Sequence, residues 1–422
     1  MNLDSLDHYD PRNVYYADAP VWLNSAANEE RRNMAHLTHF LQLAKEYIKV
    51  YHTFDYRYQK NIFYDTTLPA GGNQVDGEGL RAPFYRNLFL VDSTNTNDST
   101  RYREIENTVG LTGNHPLFYY NIYAKRRDAT AYFAARSNEL DTLLVPRGQA
   151  IRSKYGQNFI GGETQFKLRD IFNITVKGEY QLFQDYRATA AARVKFLTFS
   201  QTRLSYSPAL VEQNYRSNHY SWDNNFDNIV ADKTAAGIQG KLWNNTLRAE
   251  IARVNLQNYV FYNAESQPEQ LSEQLSFYTA YLHHHLQLRN LHFDHELSYN
   301  QLDNADQIRL PRWLVNSKVY YEGFLFKKAL YGQIGLEAFM MDDFQADAYN
   351  PVLQQFYLQN GFTVASYPVV DFFITTDIKN FNLFLKMAHV NQGYPREGYF
   401  TSPYYSGMQR SFIFGIKWMF FD

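Results

Sequence analysis

The sequence predicts an all-β protein: a transmembrane antiparallel β-barrel of about 16–18 strands, with short periplasmic turns and long extracellular loops. Three observations predict it. Apolar and polar residues alternate with a period of two in segment after segment, the mark of a strand with one apolar face. The connections between these segments alternate between short and long. Aromatic residues are abundant, with 35 Tyr, 32 Phe and 5 Trp among 422 residues, and Tyr and Trp gather where an apolar phase meets water.

The composition narrows the alternatives. No uninterrupted apolar run exceeds the five residues from Ala131 to Ala135, whereas a membrane-crossing helix needs about 20. Lys and Arg number 41 against 43 Asp and Glu, so no global field favours nucleic acid. With no cysteine there are no disulfides, thiolate metal sites or catalytic thiols. A mean hydropathy of -0.50 fits a globular protein or a barrel whose lipid-facing residues are averaged with lumenal ones. The alternation establishes strands, and the asymmetry of short turns and long loops, for which a soluble sandwich gives no reason, favours the barrel.

Along the chain, residues 1–34 read as a polar N-terminal segment, with Pro11, Pro20 and the run Glu29-Glu30-Arg31-Arg32. It is expected to be periplasmic or folded into the lumen as a plug, with the transmembrane barrel over 35–422. No signal peptide follows Met1, so the expectation is of a mature or truncated chain. The connection 65–102 holds the polar run 92–100 (DSTNTNDST), expected to be too polar to pack and mobile.

Over 172–182 one strand face carries Phe172, Ile174, Val176, Gly178, Tyr180 and Leu182, and the other Asn173, Thr175, Lys177, Glu179 and Gln181. Ala190, Ala192 and Val194 alternate with Arg193 and Lys195. Leu247, Ala249 and Ile251 alternate with Arg248 and Glu250. Val315, Val319 and Tyr321 alternate with Asn316, Lys318, Tyr320 and Glu322, and Leu336, Ala338 and Met340 with Gln333 and Glu337. Phe412, Phe414, Ile416, Trp418 and Phe420 form a terminal strand around Gly415 and Lys417.

Short polar turns are expected near residues 169–170, 244–245, 289–290, 327–328 and 380–382. Long connections are expected at 65–102, 136–157, 212–218, 342–359 and 390–408. Residues 218–226 and 232–242 must join into one long strand to keep the short turns on one side.

Several segments of the second half resemble the putative porins of Bacteroidota: 215–226 (YRSNHYSWDNNF), 320–330 (YYEGFLFKKAL), 346–360 (ADAYNPVLQQFYLQN) and 367–373 (YPVVDFF). HVNQG at 389–393 and FIFGIKWMFFD at 412–422 complete the set. The resemblance is strong over 215–422 and weaker over 117–214. It implies an outer-membrane β-barrel of a Gram-negative bacterium. The aromatic C-terminal strand, Phe412, Phe414, Ile416, Trp418 and Phe420, would then be read by the barrel-assembly machinery during insertion. Lipid, lipopolysaccharide and other outer-membrane proteins are the partners such a barrel implies; nucleic acid is not.

The candidate pore-lining residues are Lys177, Glu179, Arg193, Lys195, Arg248, Glu250, Lys318, Glu322, Lys386 and Lys417. In a barrel of this size they would face the lumen, because Arg or Lys on the lipid face at the bilayer midplane costs about 2–4 kcal/mol. Such side chains either bias solute selectivity or solvate the interior and pair across strands.

His283, His284, His285, His292 and His295 cluster across one short turn, with Asp294 and Glu296 nearby, but form no recognisable metal site. Asp342, Asp343 and Asp347 lack the spacing of a calcium loop. Tyr119, Tyr120, Tyr123, Tyr259, Tyr262, Tyr404 and Tyr405 are expected as interfacial anchors. No nucleophile elbow, phosphate loop, dinucleotide fingerprint or H-E-x-x-H occurs, so neither catalysis nor a cofactor is expected. The function expected is a porin-like channel for passive diffusion of small polar solutes. The alternative is a plugged barrel serving as a structural or docking subunit of a larger outer-membrane complex.

Overall fold

The computed structural model describes residues 23, 25–66, 75–76, 79–80, 85, 89–140, 146–168, 171–302, 306–325, 330–378, 381–403 and 405–418. Its main element is one antiparallel sheet of 17 strands, within the expected range. The first five are long: β1 (Ala26–Ala44), β2 (Ile48–Asp65), β3 (Thr96–His115), β4 (Phe118–Leu140) and β5 (Pro146–Leu168). Then follow β6 (Phe172–Gln181), β7 (Tyr186–Val194), β8 (Leu197–Tyr206), β9 (Ile229–Leu242), β10 (Asn245–Gln257) and β11 (Leu275–Leu288). The last six are β12 (Leu291–Gln301), β13 (Trp313–Leu325), β14 (Leu330–Met341), β15 (Val369–Ile378), β16 (Phe381–Ala388) and β17 (Ser411–Trp418).

Each strand pairs with its successor in chain order. One edge therefore carries only short connections, while the other carries all the long ones together with the shorter 141–145 and 182–185. The short-turn edge includes 116–117, 195–196, 243–244 and 289–290. Lys195, Trp243 and Arg289 open their turns in the left-handed region, at φ 54, 52 and 56°, which suits a two-residue hairpin turn to the twist of its strands. The opposite edge carries 66–95, 207–228, 258–274, 342–368 and 389–410.

The sheet curls. Asn28 of β1 donates to the carbonyl of Pro351 (3.2 Å) and accepts from Gln354 (3.0 Å), which also accepts from Asn61 of β2 (2.8 Å). Gln354 belongs to the loop after β14. Thirteen strand spacings of about 4.8 Å would put β1 about 62 Å from β14 in a flat sheet. The 13 residues from Met341 to Gln354 span at most about 47 Å. Only a curved sheet brings these ends together. Among the described residues no ladder joins β17 to β1.

Register fixes two faces. Thr246, His285, Asp294, Lys318, Glu337 and Asp371 follow one another across β10–β15 on the polar face. On β17 the other face shows Phe412, Phe414, Ile416 and Trp418, all largely exposed. That is the expected alternation of the terminal strand; Phe420 lies outside the described residues.

Four expectations need correction. The first strand starts at Ala26, inside the segment read as a leader ending at 34, and Asn28 and Glu30 sit on its polar face; residues 1–22 lie outside the described residues. The run 92–100 packs instead of being mobile: β3 begins at Thr96, and Asp92, Thr96, Asp98 and Ser99 are buried. The connection expected over 136–157 shrinks to 141–145, because β4 and β5 run on to Leu140 and from Pro146. Residues 218–226 do not extend β9. They belong to a loop hairpin pairing Asn214–Arg216 with Ser221–Asp223, and this also keeps the short turns on one edge.

Candidate functional site

The polar face is built as ladders of opposite charge. Across β2–β6 the densest holds Glu104 and Glu106, both buried. Arg127 donates to Glu106 (2.8 Å) and lies 3.3 Å from Glu104, which also meets Arg57 at 3.2 Å. Lys125 reaches Glu179 at 2.7 Å, where the Tyr123 hydroxyl also donates at 2.7 Å. The Phe159 ring lies 4.3 Å from the Lys125 ammonium and 5.0 Å from the Arg127 guanidinium.

The expected pore-lining residues fall on this face with one exception. Glu179 joins the ladder just described, and Lys177 sits beside it, exposed, opposite Thr189 of β7. Arg193 pairs in register with Asn173. Glu250 takes Lys233 at 2.8 Å and Arg248 at 3.7 Å. Lys318 meets Glu337 at 3.1 Å, and Lys386 meets Asp371 at 2.6 Å. Glu322 accepts from Tyr331 and Gln333, both at 2.7 Å. Lys417 is exposed near the end of β17. Lys195 departs from the set: it occupies a turn position instead of a strand face. Glu104, Glu106, Lys125, Arg127 and Asp371 escaped the sequence reading. The two-residue spacing of Glu104 with Glu106, and of Lys125 with Arg127, was the available signal.

The histidine cluster divides between faces. His283, His285 and His292 lie on the polar face, where His283 contacts Asp294 (2.8 Å), His285 contacts His292 (3.1 Å), and His292 stacks on Tyr320 at 4.8 Å. His284 and His295 face the apolar side, bonded to Asn245 (3.0 Å) and Ser317 (2.8 Å). Among the described residues no group of three His, Asp or Glu could hold a metal. His389 is buried with one ring nitrogen against the Tyr367 hydroxyl (2.8 Å) and the other against the carbonyl of Met408 (2.9 Å).

At the long-loop edge the loops fold onto the polar face. Phe63 of β2 and Ala131 and Phe133 of β4 share a buried core with Tyr215, Tyr220, Trp222, Tyr262, Val352 and Leu353 from three loops, and with Tyr85. Tyr262 is thus a core residue and not the interfacial anchor expected. Tyr405 likewise sits in a loop hairpin, its ring 5.8 Å from that of Tyr349; Tyr404 lies outside the described residues.

Asn218, fully buried, ties the loops to β3. Its amide nitrogen donates to the carbonyls of Asp92 (2.7 Å) and Asn95 (3.1 Å), its side-chain oxygen accepts from the N–H groups of Val91 and Asp92 (both 3.0 Å), and its own N–H donates to Asp98 (2.8 Å). Burial pushes the Asp92 carboxyl up, but donors from Ser137, Thr94 and Asn95 outweigh it and hold the pKa at about 2. Asp347, in the loop after β14, moves the other way: burial raises it to about 6 despite Arg309. Where β1–β3 meet the loops, a cavity of about 430 Å³ is lined by Asn61, Phe63, Asp98, Thr100, Tyr102 and Tyr349, among others.

Known structures share this architecture. The copper transporter OprC aligns over 94% of this chain and 66% of its own, at 12% identity and a TM-score of 0.65. The ferric-catecholate import receptor Fiu of E. coli K12 aligns over 94% and 65%, at 9% identity and a TM-score of 0.61. The siderophore receptor PiuA of Acinetobacter baumannii aligns over 94% and 65%, at 12% identity and a TM-score of 0.60. The chain thus spans about two thirds of the length of these proteins, and identities this low speak for the fold alone. No curated protein sequence matches the chain. The profile of the family described as "Putative porin" matches residues 2–422; the chain belongs to that family.

Proposed function

We propose that the sheet closes into an outer-membrane β-barrel whose polar face lines a channel for passive diffusion of small polar solutes. One observation carries the reading: a single curved sheet of 17 strands with an exposed apolar face and an ion-paired polar face. Water excluded from one side and admitted to the other is the arrangement a barrel wall needs. Short turns face the periplasm and long loops the exterior, by analogy with outer-membrane barrels generally. Lys177, Glu179, Arg193, Arg248, Glu250, Lys318, Glu322, Lys386 and Lys417 line the pore in this reading. Pairing of Arg248, Lys318 and Lys386 with acids reduces the bias towards anions. The barrel-assembly machinery would read the terminal strand through Phe412, Phe414, Ile416 and Trp418.

β1 and β17 both run from the long-loop edge to the short-turn edge, so 17 strands alone would close through a parallel pair. The absence of cysteine makes closure testable without background: single cysteines in β1 and β17 should cross-link within one molecule in the folded protein. Failure of every register to cross-link would count against closure.

A second reading has its own support. The aromatic core that three loops build on the polar face narrows one mouth, as a plugged barrel with a docking role would require. Liposome swelling separates the two. Proteoliposomes should swell in small sugars or amino acids, with rates falling as solute size rises. Protein that is folded and inserted yet leaves the liposomes impermeable would favour the docking role.

A further inference from the structure

We propose that the cavity between β1–β3 and the loops is a binding site for a small saccharide. At about 430 Å³ it falls within the range of small-molecule sites. Its walls combine aromatic rings with amides and carboxyls: Phe63, Tyr102 and Tyr349 beside Asn61, Asp98 and Glu30. Phe63 and Asp98 are register partners, and so are Asn61 and Thr100, so these four form one patch on two adjacent strands.

Two acceptors in that patch are unmet. Asn61 donates its amide N–H to Gln354 (2.8 Å), yet its Oδ1 has no partner among the described residues. Asp98, only 4% exposed, accepts from Asn218 through Oδ1, while its Oδ2 has no partner among the described residues. A buried acceptor left unmet is costly, and these two lie on one patch facing one cavity. The remedy is a donor brought by a ligand. Both atoms are shielded from water, but the terminal torsions of Asn and Asp are broad, so a modest rotation presents each to a group seated on Thr100 or Tyr102.

A hydroxyl meets both needs. It donates to an amide oxygen or to a carboxyl, and the ring faces of the aromatic residues suit the apolar C–H face of a pyranose. Primary amines fit less well. Glu30, the exposed carboxylate at the rim, is already held by Arg32 and Gln59 at 2.6 and 2.7 Å, and the Arg32 guanidinium repels a cation.

The test is calorimetric titration of detergent-solubilised, full-length protein with maltose, and with glycylglycine and a diamine as comparators. Saturable maltose binding is expected, weakened at least tenfold by Asp98→Asn and by Asn61→Ala. Asp98→Asn keeps the acceptor for Asn218, and Tyr349→Ala tests the aromatic wall without touching either orphan atom. Heat-modifiable gel mobility identifies the variants that remain folded. The inference is overturned if maltose gives no saturable heat, if folded variants bind it unchanged, or if either comparator binds as well. It does not depend on conduction: a silent barrel that binds maltose keeps the site and loses the channel, and a conducting barrel without maltose binding does the reverse.

Discussion

The wall of β1–β5 and the wall of β6–β17 are made of the same alternating strands but differ in height. The first five strands run 18–23 residues and the other twelve 8–14. On most of the short wall the apolar face is apolar over most of each strand, as on β17, whereas on β8–β10 it turns polar towards the long loops, at Arg203, Asp232 and Arg253. On β4 it is apolar only from Phe118 through Tyr120, Ile122 and Ala124, and then turns to Arg126 and Asp128, which pair at 2.6 Å in the open. In the barrel proposed above, the upper part of the tall wall would stand as a water-bathed palisade above the membrane band. Its inner face carries the buried charges and receives the loops of the short wall. In that reading the lower band would serve insertion, while the upper part carries the loops and the cavity.

This contrast sets the order of expected effects. Arg127→Met should cost most, about 3–5 kcal/mol, because it leaves Glu104 and Glu106 buried with too little positive charge. Its counterpart on the short wall, Lys386→Met, loses one partly exposed pair and should cost about 1 kcal/mol or less. Urea unfolding in matched micelles measures both, and equal costs would erase the distinction. Asn218→Ala comes next, at about 3 kcal/mol, since it leaves several buried groups unmet. Limited proteolysis should then cut within 89–95 and 207–228 while the strands stay protected; an unchanged digest would show that the loops do not depend on this hub.

Phe414→Arg, in the band of β17, should cost about 2–4 kcal/mol. Thr130→Arg, on the same outer face of β4 but above the band, should stay within about 0.5 kcal/mol. Similar penalties at both sites would place the membrane boundary higher on the tall wall. The smallest effect is with pH. Asp92 is held at about 2, below the ordinary carboxyl value of 3.8. Its contribution is therefore complete above pH 4 and lost as pH falls towards 2. Loop protection against acid-active protease should weaken in that window for wild type, and less for Ser137→Ala, which removes one of the stabilising donors.

The same contrast explains what the sequence shows and what it hides. Period-two alternation is legible wherever one face meets lipid, so Phe172–Gln181, Asn245–Gln257 and the terminal strand could be read directly. On the palisade both faces are wet. Arg101 and Arg103 point outward while Glu104 and Glu106 point inward, so polarity no longer alternates and β1, β3 and β4 were blurred or misjudged. The run 92–100 looked unstructured for a related reason. Asn218, more than 100 positions away, meets the backbone of Asp92 and Asn95 and one oxygen of Asp98, and a partner that distant leaves no local signature. Tyr262 is expected as an interfacial anchor because it lies near an inferred strand end, but long-range packing puts it in the loop core.

Planar-bilayer recording of the refolded full-length protein tests the central claim most directly. Stepwise openings of uniform size, with little preference between small anions and cations, are the predicted result. Persistent silence from protein shown to be folded and inserted would contradict a diffusion channel.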